Sequence, residues 1–356
     1  MRIPDRILKR IPIRIPARSR LWLIGAAALA LLAVLALGAL LRGRPTGEPL
    51  HVVVPRGASL VAVTDSLAAH VIVPWPGGFY WYARLLGAGD DVKAGTYALH
   101  RGEGWARTLR KLVHGDVVTV TITIPEGSTA SLIAARLALV TRAAPDSIRA
   151  VLLDTASATA YGVPGPTLEG YLYPETYRFA LGLPLDEVIA ELVRHYSAVW
   201  TPERRARADS LGWSEREVVT LASIIEGEAL RDEELPTISA VYHNRLRRRM
   251  RLQADPTVQY ALEARKSRLL YKHIEQTRDH PYNTYHIYGL PPGPIGSPGE
   301  PAIEAALHPA DVSYLYFVAR GDGYHVFTNS LRQHINAKNR IARERRQRRL
   351  EARESS

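Results

Sequence analysis

The sequence predicts an α+β protein in three parts: a single N-terminal transmembrane helix, a small α+β region, and a larger mixed α+β domain that holds the chemistry. Three observations carry this reading. Leu21 to Leu41 runs for 21 residues without a charge. A strand–turn–helix pattern occurs twice at an offset of 70 residues. Beyond it, helical periodicities with their own start signals alternate with turn-rich loops and end in two short strands.

The apolar run comes first. At helical rise its 21 residues span ~31 Å, about one hydrocarbon core. A cleaved signal peptide would have a shorter apolar region followed by a small-x-small site. Here the run ends in Leu40-Leu41-Arg42-Gly43-Arg44, which favours an uncleaved anchor. Seven Arg or Lys against one Asp crowd residues 1–20, so the N-terminus is expected in the cytoplasm and the body outside, in a single-pass protein of the cytoplasmic membrane. Residues 338–356 form a second basic tail. These tails together account for the whole net charge of +11, leaving residues 21–337 formally neutral. A neutral body has no broad basic face for phosphate backbones, so nucleic acid is not an expected partner. The chain has no Cys, which excludes a disulfide framework, a thiolate metal site and a Cys nucleophile.

Residues 42–50 (RGRPTGEPL) read as a polar linker. In the repeat that follows, HVVVPRGAS from His51 matches TITIPEGST from Thr121. Pro55 pairs with Pro125, Gly57 with Gly127, and Leu67 with Leu137. Each copy reads as an edge strand, a Pro-x-Gly turn, a Ser or Thr cap and an amphipathic helix. Between them Ala94 to Leu99 reads as a strand and Gly104 to Val113 as a helix. Residues 51–118 thus form the small α+β region, which resembles a LysM-like, carbohydrate-binding module.

The domain over residues 119–337 is predicted richer in helices. Pro184 suits a first turn, opening a helix to about Trp200 with Val188, Ile189, Leu192 and Tyr196 on one face. Ser214-Glu215-Arg216-Glu217 is a capping box. Pro236 opens a further helix, and Asp255-Pro256 reads as an N-cap followed by Pro at N1. Tyr314 to Val318 and Tyr324 to Phe327 read as strands around Arg320-Gly-Asp-Gly, before an Arg-rich terminal helix.

The helix opened by Ser214 ends in LASIIEGEA, Leu221 to Ala229. It places Glu226 at the end of an apolar run. A carboxyl group held against apolar side chains is poorly solvated, so its pKa rises and it can serve as a general acid near neutral pH. The plain alternative is a solvated residue at a helix end. Polar residues also concentrate in Leu168 to Tyr177, Asn244 to Tyr260 and Tyr282 to Gly299. The last is Pro/Gly-rich from Gly289, so it reads as an irregular loop shaped for a ligand or for packing against a catalytic element. Its Tyr282, Tyr285 and Tyr288 suit stacking on sugar faces. There is no HExxH, GxSxG, metal-ligand spacing or phosphate loop; neither a metal nor a cofactor is expected. His308 and His325 stand alone and suit packing or turn roles.

Together these segments resemble one family, the membrane-anchored endolytic murein transglycosylases (MltG-type, YceG-like), from the anchor to about His334. The strings that carry the resemblance are LEGYLYPETY, LASIIEGEA, Asn244-Arg245-Leu246, LQADPTV from Leu252, Tyr282-Asn-Thr-Tyr, GLPPGPI from Gly289, and His308-Pro with YLYFV from Tyr314. The chain departs at Gly227 and Leu235, where members often carry charged residues. Gly227 is also a place for the helix to end. The resemblance implies a lyase that cleaves the MurNAc–GlcNAc bond of peptidoglycan glycan strands without water, leaving 1,6-anhydro ends and terminating nascent strands, with Glu226 as its catalytic acid and base. Peptidoglycan synthases are the implied protein partners. Asn244, Gln253, Asp255, Tyr282, Asn283, Thr284 and Tyr285 are candidates for gripping the sugar; Asp255 also has its capping role. Glu228 lies ~200° around the helix from Glu226 and is not paired with it. A hydrolytic muramidase would need a second acid, for which Glu169 and Glu175 are the candidates. A non-catalytic wall scaffold is the remaining alternative.

Overall fold

The computed structural model describes residues 17–262, 266 and 269–354. Residues 1–16 of the basic N-terminal tail lie outside them. The chain divides into two units, residues 1–118 and 119–356.

The first unit opens with α1 (Ala17–Arg42). Its stretch Trp22–Arg42 is long and apolar enough to cross a membrane, and the apolar side chains along it are exposed. No linker follows. The chain passes directly into β1 (Gly43–Val54), which precedes α2 (Leu60–Ala69), α3 (Pro76–Leu85), β2 (Gly95–Glu103) and α4 (Trp105–His114). β1 pairs antiparallel with β2, regularly from Leu50↔Leu99 to Val54↔Gly95, with bulges toward Gly43↔Glu103. The stretch expected to be a linker is therefore an irregular edge strand. Its Pro45 and Pro49 are tolerated where the ladder is bulged. Gly43 has φ +59°, and a Cβ there would fall 2.2 Å from the Gly104 backbone nitrogen. Leu67, Ile72, Phe79, Tyr97, Leu99 and Leu112 fill this unit's core.

The second unit contains β3 (Thr119–Thr123), α5 (Ala130–Thr141), α6 (Pro145–Leu152), α7 (Thr155–Ala160), β4 (Thr176–Ala180), α8 (Leu185–Val199), α9 (Pro202–Leu211) and α10 (Glu215–Glu228). A 3₁₀ turn, Asp232–Glu234, leads to α11 (Leu235–Arg247), α12 (Asp255–Ala261), α13 (Tyr271–Gln276), α14 (Glu300–Leu307), β5 (Tyr316–Ala319), β6 (His325–Thr328) and α15 (Leu331–Glu354). Among the described residues the strands form two-stranded antiparallel sheets only: β1–β2, β3–β4 and β5–β6. The α+β class is as the sequence predicts. β4 was not expected, although Tyr177 and Phe179 alternate in period two and both face the core.

The helix starts follow local chemistry. Ser59 and Thr129, at matching places in the two repeats, accept from the N–H groups of Ala62 (3.2 Å) and Leu132 (3.4 Å). Gly57 and Gly127 take φ of +70° and +69° in the two Pro-x-Gly turns. Ser214 and Glu217 close the expected capping box around the start of α10. Two expectations shift: Pro184 is the N-cap residue of α8, one place earlier, and Asp255 sits inside α12, whose N-cap is Ala254.

α10 packs against α9, α11, α12 and α14. Every residue from Val218 to Ile225 is buried, so it lies inside the core, away from the protein surface. Its buried polar groups are satisfied: Thr220 Oγ1 donates to the Arg216 carbonyl (2.7 Å), and Ser223 Oγ to that of Thr220 (2.8 Å).

Candidate active site

Glu226 lies on the last turn of α10, where the buried run ends and the helix begins to emerge. Its Oε2 accepts from the N–H of Gly299 (3.0 Å), the N-cap residue of α14. One turn back on the same face, Ser223 Oγ accepts from the N–H of Ile295 (3.1 Å). The Pro/Gly-rich loop therefore runs along α10, meeting it with two backbone amides four residues apart. Packing against the acid-bearing helix is one of the two roles expected of that loop.

The other side of the loop is held equally closely. Gly127 donates to the Ser297 carbonyl (2.7 Å), and Ser297 donates to that of Ser128 (2.9 Å). This joins the second repeat's turn to the loop. Gly170 of LEGYLYPETY has φ +84°, and a Cβ there would fall 2.3 Å from Pro294 Cβ. Three segments distant in sequence thus meet around Glu226: residues 126–128, 223–226 and 294–299.

Burial dominates the electrostatics of Glu226 and pushes its carboxyl up from an ordinary 4.5 to about 7. Gly299 opposes the shift by donating to the ionised form, while the nearby charges of Glu126 and Asp232 add to it. A carboxyl poised at about 7 has both its protonated and ionised forms available near neutral pH. Glu126 is the neighbour that sequence reasoning missed. A Cβ on Gly299 would fall 2.0 Å from Glu126 Oε1, so two carboxylates flank this one glycine. The signal was present in the repeat, where Glu126 stands at the place of Arg56.

The other acids lie elsewhere. Glu228 turns to α11, where the Tyr242 hydroxyl donates to its Oε1 (2.7 Å); burial pushes it to about 7 as well. Glu169 is buried and accepts from Ala130 N–H at the start of α5 (2.8 Å), with burial raising it to about 8. Glu175 is exposed and bonded to His195 Nδ1 (2.7 Å).

The sequence-named grip residues fall into two groups. Asn244, Asn283 and Thr284 are buried, and the bonds of their polar atoms hold the fold. Asn244 Nδ2 donates to the carbonyls of Val312 (2.8 Å) and Tyr314 (2.9 Å), and its Oδ1 accepts from Arg247. Asn283 Nδ2 donates to the carbonyl of Ile274 (2.9 Å), and its Oδ1 accepts from Tyr285 N–H (3.0 Å). Thr284 Oγ1 accepts from Ala254 N–H (2.9 Å) and bonds Thr257 Oγ1 (2.8 Å). The second group reaches the surface. Gln253 is exposed with φ +49°, and Asp255 is exposed, its Oδ1 accepting from the Tyr285 hydroxyl (2.6 Å). Tyr282 is half-buried with its ring centroid 4.9 Å from that of Tyr260. Tyr288 is exposed under the Arg251 guanidinium. His308 and His325 lie beside Glu304 and Glu234. Among the described residues, no cluster of His, Asp or Glu has a metal-holding arrangement.

Residues 52–340 match the model of the YceG-like family. The chain belongs to that family. A Bacillus subtilis protein named endolytic murein transglycosylase is 33% identical over 328 residues, covering 85% of this chain and 89% of the relative. A Streptococcus pneumoniae protein of the same name is 27% identical; the match covers 80% of this chain but 58% of that longer protein. The crystal structure of a YceG-like protein from Listeria monocytogenes superposes with a TM-score of 0.56 at 32% identity, covering 82% of this chain and 99% of that one.

Gly227, expected to depart from the family's usual charged residue, stands where a side chain would meet steric resistance. A Cβ on Gly227 would fall 2.7 Å from Pro256 Cβ at the start of α12. Gly227 is therefore where α12 closes on α10. The helix does not end there, as its sequence suggested, but continues to Glu228.

Proposed function

We propose that the chain is an endolytic lytic transglycosylase of peptidoglycan, with Glu226 as its one acid and base. The observation that carries this reading is the half-buried Glu226, held by Gly299 and poised at about 7, in a chain whose relatives are named endolytic murein transglycosylase. Protonated Glu226 gives its proton to the glycosidic oxygen between MurNAc and GlcNAc, and the C1–O bond breaks. The resulting carboxylate then takes the proton of the muramyl C6 hydroxyl, whose oxygen closes on C1. The nucleophile belongs to the substrate, so proximity replaces a second catalytic acid. Gln253, Asp255, Tyr282 and Tyr285 are the proposed sugar contacts. The apolar α1 anchors the body at the outer face of the cytoplasmic membrane, where synthases that extend the same strands are the proposed partners and nascent strands the proposed substrate.

The nearness of Glu126 favours one rival, hydrolysis by two carboxylates. Mass spectrometry of the products separates them. The expected strand ends in 1,6-anhydro-MurNAc, one water lighter than a hydrolysis product. A reducing MurNAc end would mean that water is the nucleophile.

Glu126 has its own expected signature. Glu226 must be protonated to start the reaction, so activity falls as pH rises through its pKa. Glu126→Gln removes a like charge and lowers that pKa, so the alkaline limb of kcat/KM should move down by up to about one pH unit. A limb that stays in place would show that Glu226 does not feel this charge.

A further inference from the structure

The apolar anchor explains the exposure of α1 but leaves a second apolar surface in the same unit. Trp75, Trp81, Leu85 and Leu86 are exposed, Leu85 to 86%. They surround α3. At 100° per residue, Gly78, Trp81, Tyr82 and Leu85 lie within ~100° of arc on that helix. Gly78 and Tyr82 of this arc meet Trp105: a Cβ on Gly78 would fall 2.6 Å from the Trp105 ring, and the Tyr82 ring centroid is 5.9 Å from it, while Trp81 and Leu85 beside them stay exposed. Trp75 adjoins Trp105 too, with ring centroids 6.0 Å apart.

Trp105 in turn lies against the anchor. Together with Pro74, it lines a pocket whose other wall is Ala36, Ala39 and Leu40 of α1. Leu40 and Leu41 pack on the unit's core. Ala36 is six residues before Arg42, or ~9 Å back along the helix. Pro74 and Trp105 therefore face the helix inside the stretch that is apolar enough to span. The Trp75–Trp81–Leu85 surface continues outward from that point.

We propose that this surface rests in the outer headgroup and acyl boundary of the bilayer that α1 crosses, fixing the first unit against the lipid. The proposal rests on the reading of α1 as a membrane anchor. Lipid is the occupant because the patch is continuous with the span and has the residues of an interfacial belt: two Trp with Leu beside them, and Arg42, Arg44 and Arg84 able to reach headgroups. A single helix leaves a body free to swivel. A second contact beside it holds the first unit at a set height.

The chain has no Cys, so single-cysteine variants of the full protein take one nitroxide each. Val34→Cys reports the span, Leu85→Cys the proposed surface, and Leu139→Cys an exposed apolar site on α5 of the other unit. In nanodiscs of phosphatidylcholine and phosphatidylglycerol holding one copy each, collisions with oxygen are compared with those of a water-soluble nickel chelate. Val34 and Leu85 should favour oxygen several-fold over Leu139. If Val34 favours oxygen while Leu85 matches Leu139, the span stands and the proposed contact is wrong. Low collision rates with both reagents at Leu85 would mean a protein covers it, which also overturns lipid as the occupant. A water-exposed Val34 would remove the anchor and the proposal with it.

Discussion

Glu226→Gln should leave a folded protein whose cleavage of glycan strands is slower by ~10²–10⁴, the usual worth of a positioned acid–base group. Gln keeps the shape and can still accept from Gly299, but has no proton to transfer. The expected effect on stability separates chemistry from folding. The folded-state pKa of Glu226 is raised, so its contribution to stability is full below about 4.5 and is lost as pH rises through about 7. Above that pH the wild type holds a charge in a poorly solvated place, and the Gln variant does not. Its thermal midpoint at alkaline pH should equal or exceed that of the wild type. Glu228→Gln is the control, since its side chain serves Tyr242 on the far side of α10 and its activity should fall much less. Strong cleavage by Glu226→Gln would mean that another group is the acid.

Gly170→Ala should cost stability and activity together, although Gly170 carries no chemistry. Its φ of +84° is strained for any L side chain, and the added methyl would meet Pro294 at 2.3 Å. Backbone strain and overpacking together amount to roughly 2–4 kcal/mol. Relief comes by pushing the loop away from the LEGYLYPETY turn. That loop brings Ile295 N–H to Ser223 and Gly299 N–H to Glu226. The thermal midpoint should fall, and kcat should fall in the protein that remains folded at low temperature. Unchanged kcat with a lowered midpoint would show that the loop's seat on α10 does not depend on this contact.

Both expectations depend on features of unequal legibility. The caps at Ser59, Thr129 and Ser214 could be read because a cap involves residues three apart. The buried run before Glu226 could be read because eight consecutive interior positions leave few polar letters. Pairings made across the chain could not. β4 needs β3, more than fifty residues earlier, and the linker-like stretch after the anchor needs β2 to become a strand. Asn244, Asn283 and Thr284 look in sequence like residues that hold a ligand, because a polar side chain fixed within a motif has the same letters whether its partner is a sugar or a carbonyl of a neighbouring loop. The fold supplies that partner from 70 residues away for Asn244 and 30 for Thr284. Glu126 was legible only as a difference between two repeats, and its place beside Glu226 required the loop in between.

The order of the three segments around Glu226 has a consequence in time. Gly299 and the 294–299 stretch leave the ribosome last, more than seventy residues after Glu226. Until they arrive, the carboxyl lacks its amide partner. The apolar α1 emerges long before either. On the proposed reading the chain is thus tethered first and armed last, and a truncated chain lacking that stretch carries Glu226 without its amide partner.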